Sequence, residues 1–385
     1  MINNSKKLYF CVMENTFANN IHASQVHPVI KRTPNMRGLF LNPSFEISRS
    51  RIGPIYFDQK FDSNIQISRL PLATYFFFSS WFMFPIIFMI LSTYLFIHCL
   101  FNRYDIMHCR HTLSGLIAIP IAKIFKMKVI SDIRGCYADE GVLLGRWKSG
   151  SLSFRLYKKI EKFVYKYSDS VTGISPVMCH YIKSISPSSK PVYIPAVVDT
   201  NRIFFDKKVR SEARNELNLS EDDACFIYVG SIGAWHSVNS LINQLQTTVK
   251  KIGIEDKKVQ LIVLSKDSKF VEVSDELPYR ILTRSVESSE VNYYLNAADY
   301  GLLPGKEITS DSAKNVFSVM ISSKAEEYLC CGLKVISNRG IKYFQNKNLS
   351  YMSGTSRKDI ANNFKNEFSL DKVLSKYDAI YQNFL

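Results

Sequence analysis

Three short loops of the chain combine residue types that handle phosphate or a sugar hydroxyl. One runs from Ser322 to Gly332 and holds Lys324 and Glu327, which share a face at the start of a short helix. There an ammonium meets a phosphate, and a carboxylate accepts hydrogen bonds from ribose or sugar hydroxyls. The alternative is a surface ion pair contributing under about 1 kcal/mol. Ser323 and Glu326 have the spacing of a capping box, which makes Glu326 structural, and Gly332 suits the left-handed position that ends the helix. A second loop, with Gly230, Ser231, Gly233 and His236, precedes a helix. Its glycines let the backbone approach a ligand, and the helix start offers N–H groups to an anion such as a diphosphate. An ordinary strand-to-helix turn has the same glycines. The third loop contains Asp132, Arg134, Asp139 and Glu140 after an apolar run. These groups suit an acceptor or leaving-group site, with an Asp132–Arg134 structural pair as the alternative.

The elements that must position these loops alternate between β-rich runs and helical stretches, the pattern of a parallel sheet with crossover helices. Strands are expected at Leu8–Met13, Gly38–Leu41, Asp105–Cys109, Lys128–Asp132, Ser170–Ile174 and Val192–Ile194. The pattern restarts after Asn201 with Cys225–Val229, Val259–Leu264, Tyr279–Leu282, Tyr300–Leu303 and Val335–Ser337. In such sheets ligands bind outside the carboxyl ends of the strands, and two of the three loops, those other than the Lys324 segment, directly follow a strand. The last stretch, Asp371–Phe384, reads as an amphipathic helix.

At 385 residues the chain is long for one core, so two domains are expected. Its 46% hydrophobic and 22% charged content excludes disordered, collagen-like and disulfide-scaffold classes. A net charge of +15 favours polyanions, anionic lipid surfaces or diphosphate-bearing molecules. Nucleic-acid binding would need helix-turn-helix signals or aromatics interleaved with exposed cations, and neither occurs. The eight cysteines form no C-x-x-C pair, so no metal or redox site is expected, and buried thiols in a reducing cytosol are.

Nothing in the polar Met1–Lys7 segment directs secretion. The stretch Leu70–Asn102 has no Asp, Glu, Lys or Arg. It is long enough to span a bilayer, but Pro85, Ser79, Ser80 and His98 interrupt it, and expected strands of one sheet lie on both sides. It therefore reads as a buried or membrane-surface helix. On a helical wheel, Arg155, Lys158, Lys159, Lys162 and Lys166 form one basic arc beside an apolar arc of Leu156, Ile160, Phe163, Val164 and Tyr167. Such a helix lies on an anionic membrane or serves as a solvated face over a core face.

The run S-K-A-E-E-Y-L-C-C-G-L-K-V-I-S (Ser323–Ser337) resembles a signature of retaining family-four glycosyltransferases of the bacterial surface-polysaccharide type. Further matches follow in order: D-I-M-H-C-R (Asp105–Arg110), D-I-R-G with Asp139 and Glu140 after it, D-S-V-T-G-I-S-P (Asp169–Pro176), I-P-A-V-V-D (Ile194–Asp199), Y-V-G-S-I-G (Tyr228–Gly233) and L-N-A-A-D-Y-G-L-L-P (Leu295–Pro304). The resemblance covers nearly the whole chain. It implies an α/β protein of the GT-B fold, with two facing Rossmann-like parallel-sheet domains and a C-terminal helix crossing back to the first. The domains would be 1–198 on the acceptor side, 199–368 for the nucleotide sugar, and 369–385 as the returning helix.

The resemblance further implies that Glu327 binds the nucleotide ribose, and that Lys324 with Gly230, Ser231, Gly233 and His236 meets the diphosphate. Asp132, Arg134 and Glu140 would carry the chemistry, with His108, Arg110 and Asp139 on the acceptor side. Ser231 and His236 stand where many relatives have an arginine and a lysine, and Val319 where they have a glutamate. The leaving-group cation then falls mainly to Lys324, with Arg284 and Arg339 as further candidates. The implied activity is a metal-independent, cofactor-free hexosyl transfer from a nucleotide-diphosphate sugar to a lipid-linked or oligosaccharide acceptor, for O-antigen, capsule or exopolysaccharide. The implied place is the cytoplasmic face of the inner membrane, peripherally bound. The alternatives are a GT-B-fold sugar-nucleotide epimerase and a non-catalytic basic membrane-surface protein.

Overall fold

The computed structural model describes residues 5–12, 22–43, 65–70, 84–230, 238–266, 278–304, 310–319, 322–337 and 356–384. The chain divides into two compact units, one of Met1–Pro195 with Val373–Leu385, the other of Ala196–Lys372.

The first unit is built on a seven-stranded sheet. Its strands are β1 (Lys7–Val12), β2 (Met36–Pro43), β3 (Ile65–Leu70), β4 (Ile106–Arg110), β5 (Lys128–Ile133), β6 (Ser170–Gly173) and β7 (Val192–Tyr193). Their order is β3-β2-β1-β4-β5-β6-β7, and every pair is parallel. The order reverses between β1 and β4, which makes that pair the topological switch point. β1 and β4 are buried along their whole length, as strands covered on both faces must be. The sequence reading omits β3, whose Ile-Gln-Ile-Ser-Arg-Leu alternation belongs to a strand at the sheet edge.

One face of this sheet is covered by the helix His111–Ile124. Gly115 is needed there, because a Cβ would come within 2.8 Å of Ser131 Oγ and of Val164 Cγ1. Two further helices flank it, Phe84–Phe101 and Leu152–Tyr167. The first buries only the stripe Ile87, Leu91, Leu95 and Cys99, and exposes Ile86, Met89, Ile97, Leu100 and Phe101. No helix among the described residues is long and apolar enough to cross a membrane. Residues 71–83 of the uncharged stretch lie outside the described residues.

The basic arc on Leu152–Tyr167 is smaller than the wheel implies. Arg155, Lys159, Lys162 and Lys166 are exposed, but Lys158 turns inward to the buried Asp139 and Glu161. Two carboxylates in the interior draw in the one lysine within reach, since either would be costly to bury unpaired. Most of the helix Leu370–Gln382 belongs to the first unit, and it buries Val373, Leu374, Tyr377, Ile380 and Tyr381, the helical spacing its sequence shows.

The second unit holds a five-stranded sheet of β8 (Ala224–Val229), β9 (Val259–Leu264), β10 (Arg280–Arg284), β11 (Tyr300–Leu303) and β12 (Lys334–Ser337). Its order is β10-β9-β8-β11-β12, again entirely parallel, with the switch point between β8 and β11. Phe226, Tyr228, Leu261, Val263 and Leu302 pack against Leu241, Leu245 and Val249 of the helix Val238–Ile252. At the amino end of β11, Asp299 accepts from Arg210 at 2.8 Å and from Arg214 at 3.2 Å. That ion cluster closes the end of the sheet opposite the expected ligand side. All eight cysteines are free, and all but the half-buried Cys179 are buried.

The helix Ser323–Cys330 begins one residue earlier than a capping box on Ser323 requires. Ser322 is its N-cap, without a side-chain cap bond, and the Glu326 carboxylate instead accepts from the Ala196 N–H at 3.3 Å. Two adjacent serines leave the cap register open, and burial of Glu326 decides it. The helix ends as expected. Gly332 has φ +69°, its N–H bonds Leu329 O at 2.9 Å and the Leu333 N–H bonds Tyr328 O at 2.9 Å. A Cβ at Gly332 would lie 2.2 Å from Arg357 O. Gly332→Ala should therefore destabilise the second unit by about 1–3 kcal/mol, read as a lower midpoint in urea unfolding.

Candidate functional site

At the switch point of the second unit, β8 ends in Val229 and the chain turns at Gly230, φ +132°. β11 pairs with β8 at Phe226 and Ile227, so the Val229 N–H has no ladder partner there and donates to Tyr328 Oη at 2.9 Å. The Tyr328 ring fits because residue 301 is glycine, whose Cβ would stand 2.2 Å from it. Lys324, one turn earlier on the same helix, crosses over the end of β8. Its Nζ donates to Tyr228 Oη at 3.1 Å and lies 4.7 Å from that ring's centroid. A Cβ at Gly230 would meet Lys324 Cε at 2.5 Å, so the two positions are matched. Burial pulls the lysine down to about 8, against the opposing pull of Glu327. An ammonium with so little water around it gains much from an incoming anion.

Glu327 is drawn up by burial, and Arg202 first, then Lys324, hold it back. Arg202 Nη2 donates to its Oε1 at 3.0 Å, and Arg202 Nη1 donates to Ser288 O at 2.7 Å. The second unit thus brings together Gly230, Lys324 and Glu327 at the carboxyl end of its sheet, with an ammonium bonded to a phenol and a carboxylate held by Arg202 on one helix. The sequence reading missed Arg202: a lone cation after a turn has no spacing signature, and its partner is 125 residues away. Ser231, Gly233, His236 and Arg339 lie outside the described residues.

In the first unit, Arg110, Asp132 and Thr172 stand in register across β4, β5 and β6. Asp132 is fully buried. It accepts from Thr172 Oγ1 at 2.7 Å and Arg134 Nε at 2.8 Å, with Arg110 Nη1 at 3.8 Å. Burial alone would raise its pKa; Arg134, then His108 and Arg110, and the Thr172 hydroxyl outweigh it and hold it at about 2. Arg134 Nη2 continues to Tyr377 Oη at 2.8 Å. His108 is buried between the rings of Tyr9 and Tyr377, at 4.8 and 4.9 Å, and bonded to Tyr381 Oη at 2.8 Å; burial pulls it to about 4. His108, Asp132 and Arg134 are thereby tied to the C-terminal helix.

Asp139 and Glu140 follow on the short helix Tyr137–Leu143. Asp139 is buried and accepts from Lys158 and from Tyr181 Oη, so it anchors this helix to the next two. Glu140 bends back toward the start of its own helix, and burial pushes its pKa up. A Cβ at Gly135 would fall 1.9 Å from Glu140 Oε1, which is why residue 135 is glycine. Among the described residues, no cluster of three or more His, Cys, Asp or Glu is placed to hold a metal ion.

No family model matches the chain, and no curated protein matches it. Solved structures resemble it in fold over nearly full length. Sucrose-phosphate synthase from Thermosynechococcus elongatus superposes with a TM-score of 0.63 at 13% identity, covering 98% of both chains. The lipopolysaccharide outer core galactosyltransferase WaaB in its apo form gives 0.59 at 14% identity, over 98% of this chain and 99% of its own. The Anabaena protein HepE in complex with UDP gives 0.56 at 10% identity, over 98% and 95%. With two Rossmann-like parallel-sheet units in one chain, this is the GT-B fold.

Proposed function

We propose that the protein is a retaining glycosyltransferase that moves a hexosyl group from a nucleotide-diphosphate sugar to a lipid-linked or oligosaccharide acceptor in cell-surface polysaccharide synthesis. The observation that carries this reading is Lys324, held by Tyr228 over Gly230 at the switch point of the second unit, with Glu327 three residues further along the same helix. The HepE structure, of the same fold, is a complex with UDP. In the proposed reaction the bond from the anomeric carbon to the diphosphate breaks, the sugar passes through an oxocarbenium-like state, and a bond forms to the acceptor oxygen on the same face while that hydroxyl gives its proton to the departing diphosphate. Lys324 and the N–H groups of its helix start stabilise the charge that develops on the departing diphosphate. Fixed dipoles and one half-buried cation carry this step without a metal. On the first unit, Asp132, Arg134 and Arg110 form the charged floor of the acceptor side, and Glu140 and Asp139 hold the neighbouring helix start.

The test is release of nucleoside diphosphate from a panel of UDP-, GDP-, ADP- and dTDP-sugars, with and without oligosaccharide and polyprenyl-diphosphate acceptors. Acceptor-dependent release is the expected result. Diphosphate release with an epimerised sugar and no glycoside would point to an epimerase, and no turnover of any donor would leave the non-catalytic reading.

We place the acceptor encounter at an anionic membrane surface. The helices Phe84–Phe101 and Leu152–Tyr167 both pack on His111–Ile124, and Lys123 of that helix sits over the Tyr167 ring at 4.6 Å. Their outward residues mix apolar Met89, Leu100, Phe101, Ile124, Leu152 and Leu156 with Arg155, Lys159, Lys162 and Lys166. Apolar side chains enter the interface while the cations meet lipid phosphates, each contributing about 1 kcal/mol. Liposome sedimentation should rise with anionic lipid content and fall in 1 M salt. Glutamate at Lys159, Lys162 and Lys166 together should abolish it, and binding indifferent to lipid charge would contradict the placement.

A further inference from the structure

We propose that Arg202 is a positioning residue for the donor nucleoside, acting through Glu327; the proposal rests on the donor-site reading above. Arg202 is fixed by its own turn: its N–H and that of Ile203 both bond Asp199 O, at 3.0 and 2.8 Å, and the Ile203 side chain is fully buried. From there the guanidinium divides between two parts of the ligand side. One nitrogen holds Glu327 Oε1 at 3.0 Å and the other holds the carbonyl of Ser288 at 2.7 Å. Ser288 lies in the segment that leaves the carboxyl end of β10, two strands away from β8 in the sheet.

Among the described residues Glu327 Oε2 accepts no other hydrogen bond, so the carboxylate keeps one oxygen for a hydroxyl pair while Arg202 fixes the other. A half-buried carboxylate that burial pushes toward protonation needs such a partner to stay an acceptor. The planar fork also fixes its direction, which a flexible ammonium would not. The strand-end loop after β10 and the ribose-facing carboxylate are therefore held in one geometry by one side chain. Arg202 touches neither sugar nor diphosphate in this account; it sets the acceptor geometry that distinguishes a ribose from a deoxyribose.

The experiment is calorimetric titration of the diphosphate that wild type binds best among UDP, GDP, ADP and CDP, and of its 2′-deoxy counterpart. The proteins are wild type, Arg202→Ala, Arg202→Lys, Glu327→Ala and the double variant Arg202→Ala/Glu327→Ala. Wild type should prefer the ribose form. Arg202→Ala should weaken that form about tenfold, the loss of one hydrogen bond to a charged group, and erase the preference. Arg202→Lys should recover part of the affinity, and the double variant should bind no more weakly than Glu327→Ala. A merely structural arginine would weaken both nucleotides alike and add its effect to that of Glu327→Ala. Either that additivity or an intact ribose preference in Arg202→Ala overturns the proposal. A wild-type protein that binds none of the four diphosphates overturns the donor-site reading itself.

Discussion

Lys324→Met should lower acceptor-dependent turnover by about 10²–10³-fold, the effect of removing one preorganised charge from a developing anion. The same substitution should leave the melting temperature of the free protein equal to or above that of wild type. The two results come from one cause. Lys324 is half-buried against the Tyr228 ring without a carboxylate at ion-pair distance among the described residues, and burial lowers it from the usual lysine range to about 8. At pH 7 the folded protein therefore carries a cation that would be better solvated in the unfolded chain, and a thioether of similar length removes that cost. Between the folded value near 8 and the ordinary value near 10.4, the unfolded state binds the extra proton, so this group's contribution to stability rises with pH there. Ligand binding moves the other way. Diphosphate affinity should fall as pH rises through about 8, because the neutral amine no longer answers the phosphate charge, and in Lys324→Met that fall should vanish.

Asp132→Asn should destabilise the first unit by about 3–5 kcal/mol, the penalty for removing one partner from a buried charge cluster. Arg110 and Arg134 both face this carboxylate, and Arg134 also bonds Tyr377 of the returning helix. Without the charge, two guanidiniums are left inside with hydroxyls and an amide. The acid limb of wild-type stability has two parts. His108, lowered to about 4 by burial, refuses the proton that the unfolded chain takes near 6.5, so stability falls as pH drops from about 6.5 to 4. Asp132, held at about 2, contributes stability above its ordinary value near 3.9 that is lost as pH falls through about 2. Chemical unfolding at pH 7, 5 and 3 should show the first loss in both proteins and the second only in wild type. An Asp132→Asn variant as stable as wild type would mean that the cluster is solvated.

The fold was legible in the sequence wherever burial on both faces forces a run of apolar and β-branched residues. Lys7–Val12, Ala224–Val229 and Val259–Leu264 are such runs, and the last is buried at every position. The edge strand Ile65–Leu70 was not legible, because alternation with Gln, Ser and Arg also describes a loop. Local patterns resolved Gly332, which ends its helix at φ +69°. They failed where the partner is distant. A helical wheel places Lys158 among solvated cations, since it does not contain Asp139. A motif that holds His108 and Asp132 gives no sign of Tyr377 and Tyr381, far along the chain, which bond Arg134 and His108. Spacing alone put Lys324 and Glu327 on one helix, as the fold has them, whereas the Arg202 contact to Glu327 required the fold.

At the carboxyl end of β8, Gly230, Lys324 and Glu327 are proposed to receive the diphosphate of a nucleotide. Isothermal titration of wild type and Lys324→Met at pH 7 with a nucleoside diphosphate and with the matching monophosphate tests it most directly. Wild type should bind the diphosphate at least about tenfold more tightly than the monophosphate, one charge-assisted contact's worth of affinity, and Lys324→Met should bind both equally weakly. Diphosphate binding that is unchanged in Lys324→Met, or a wild type that does not distinguish the two nucleotides, would contradict it.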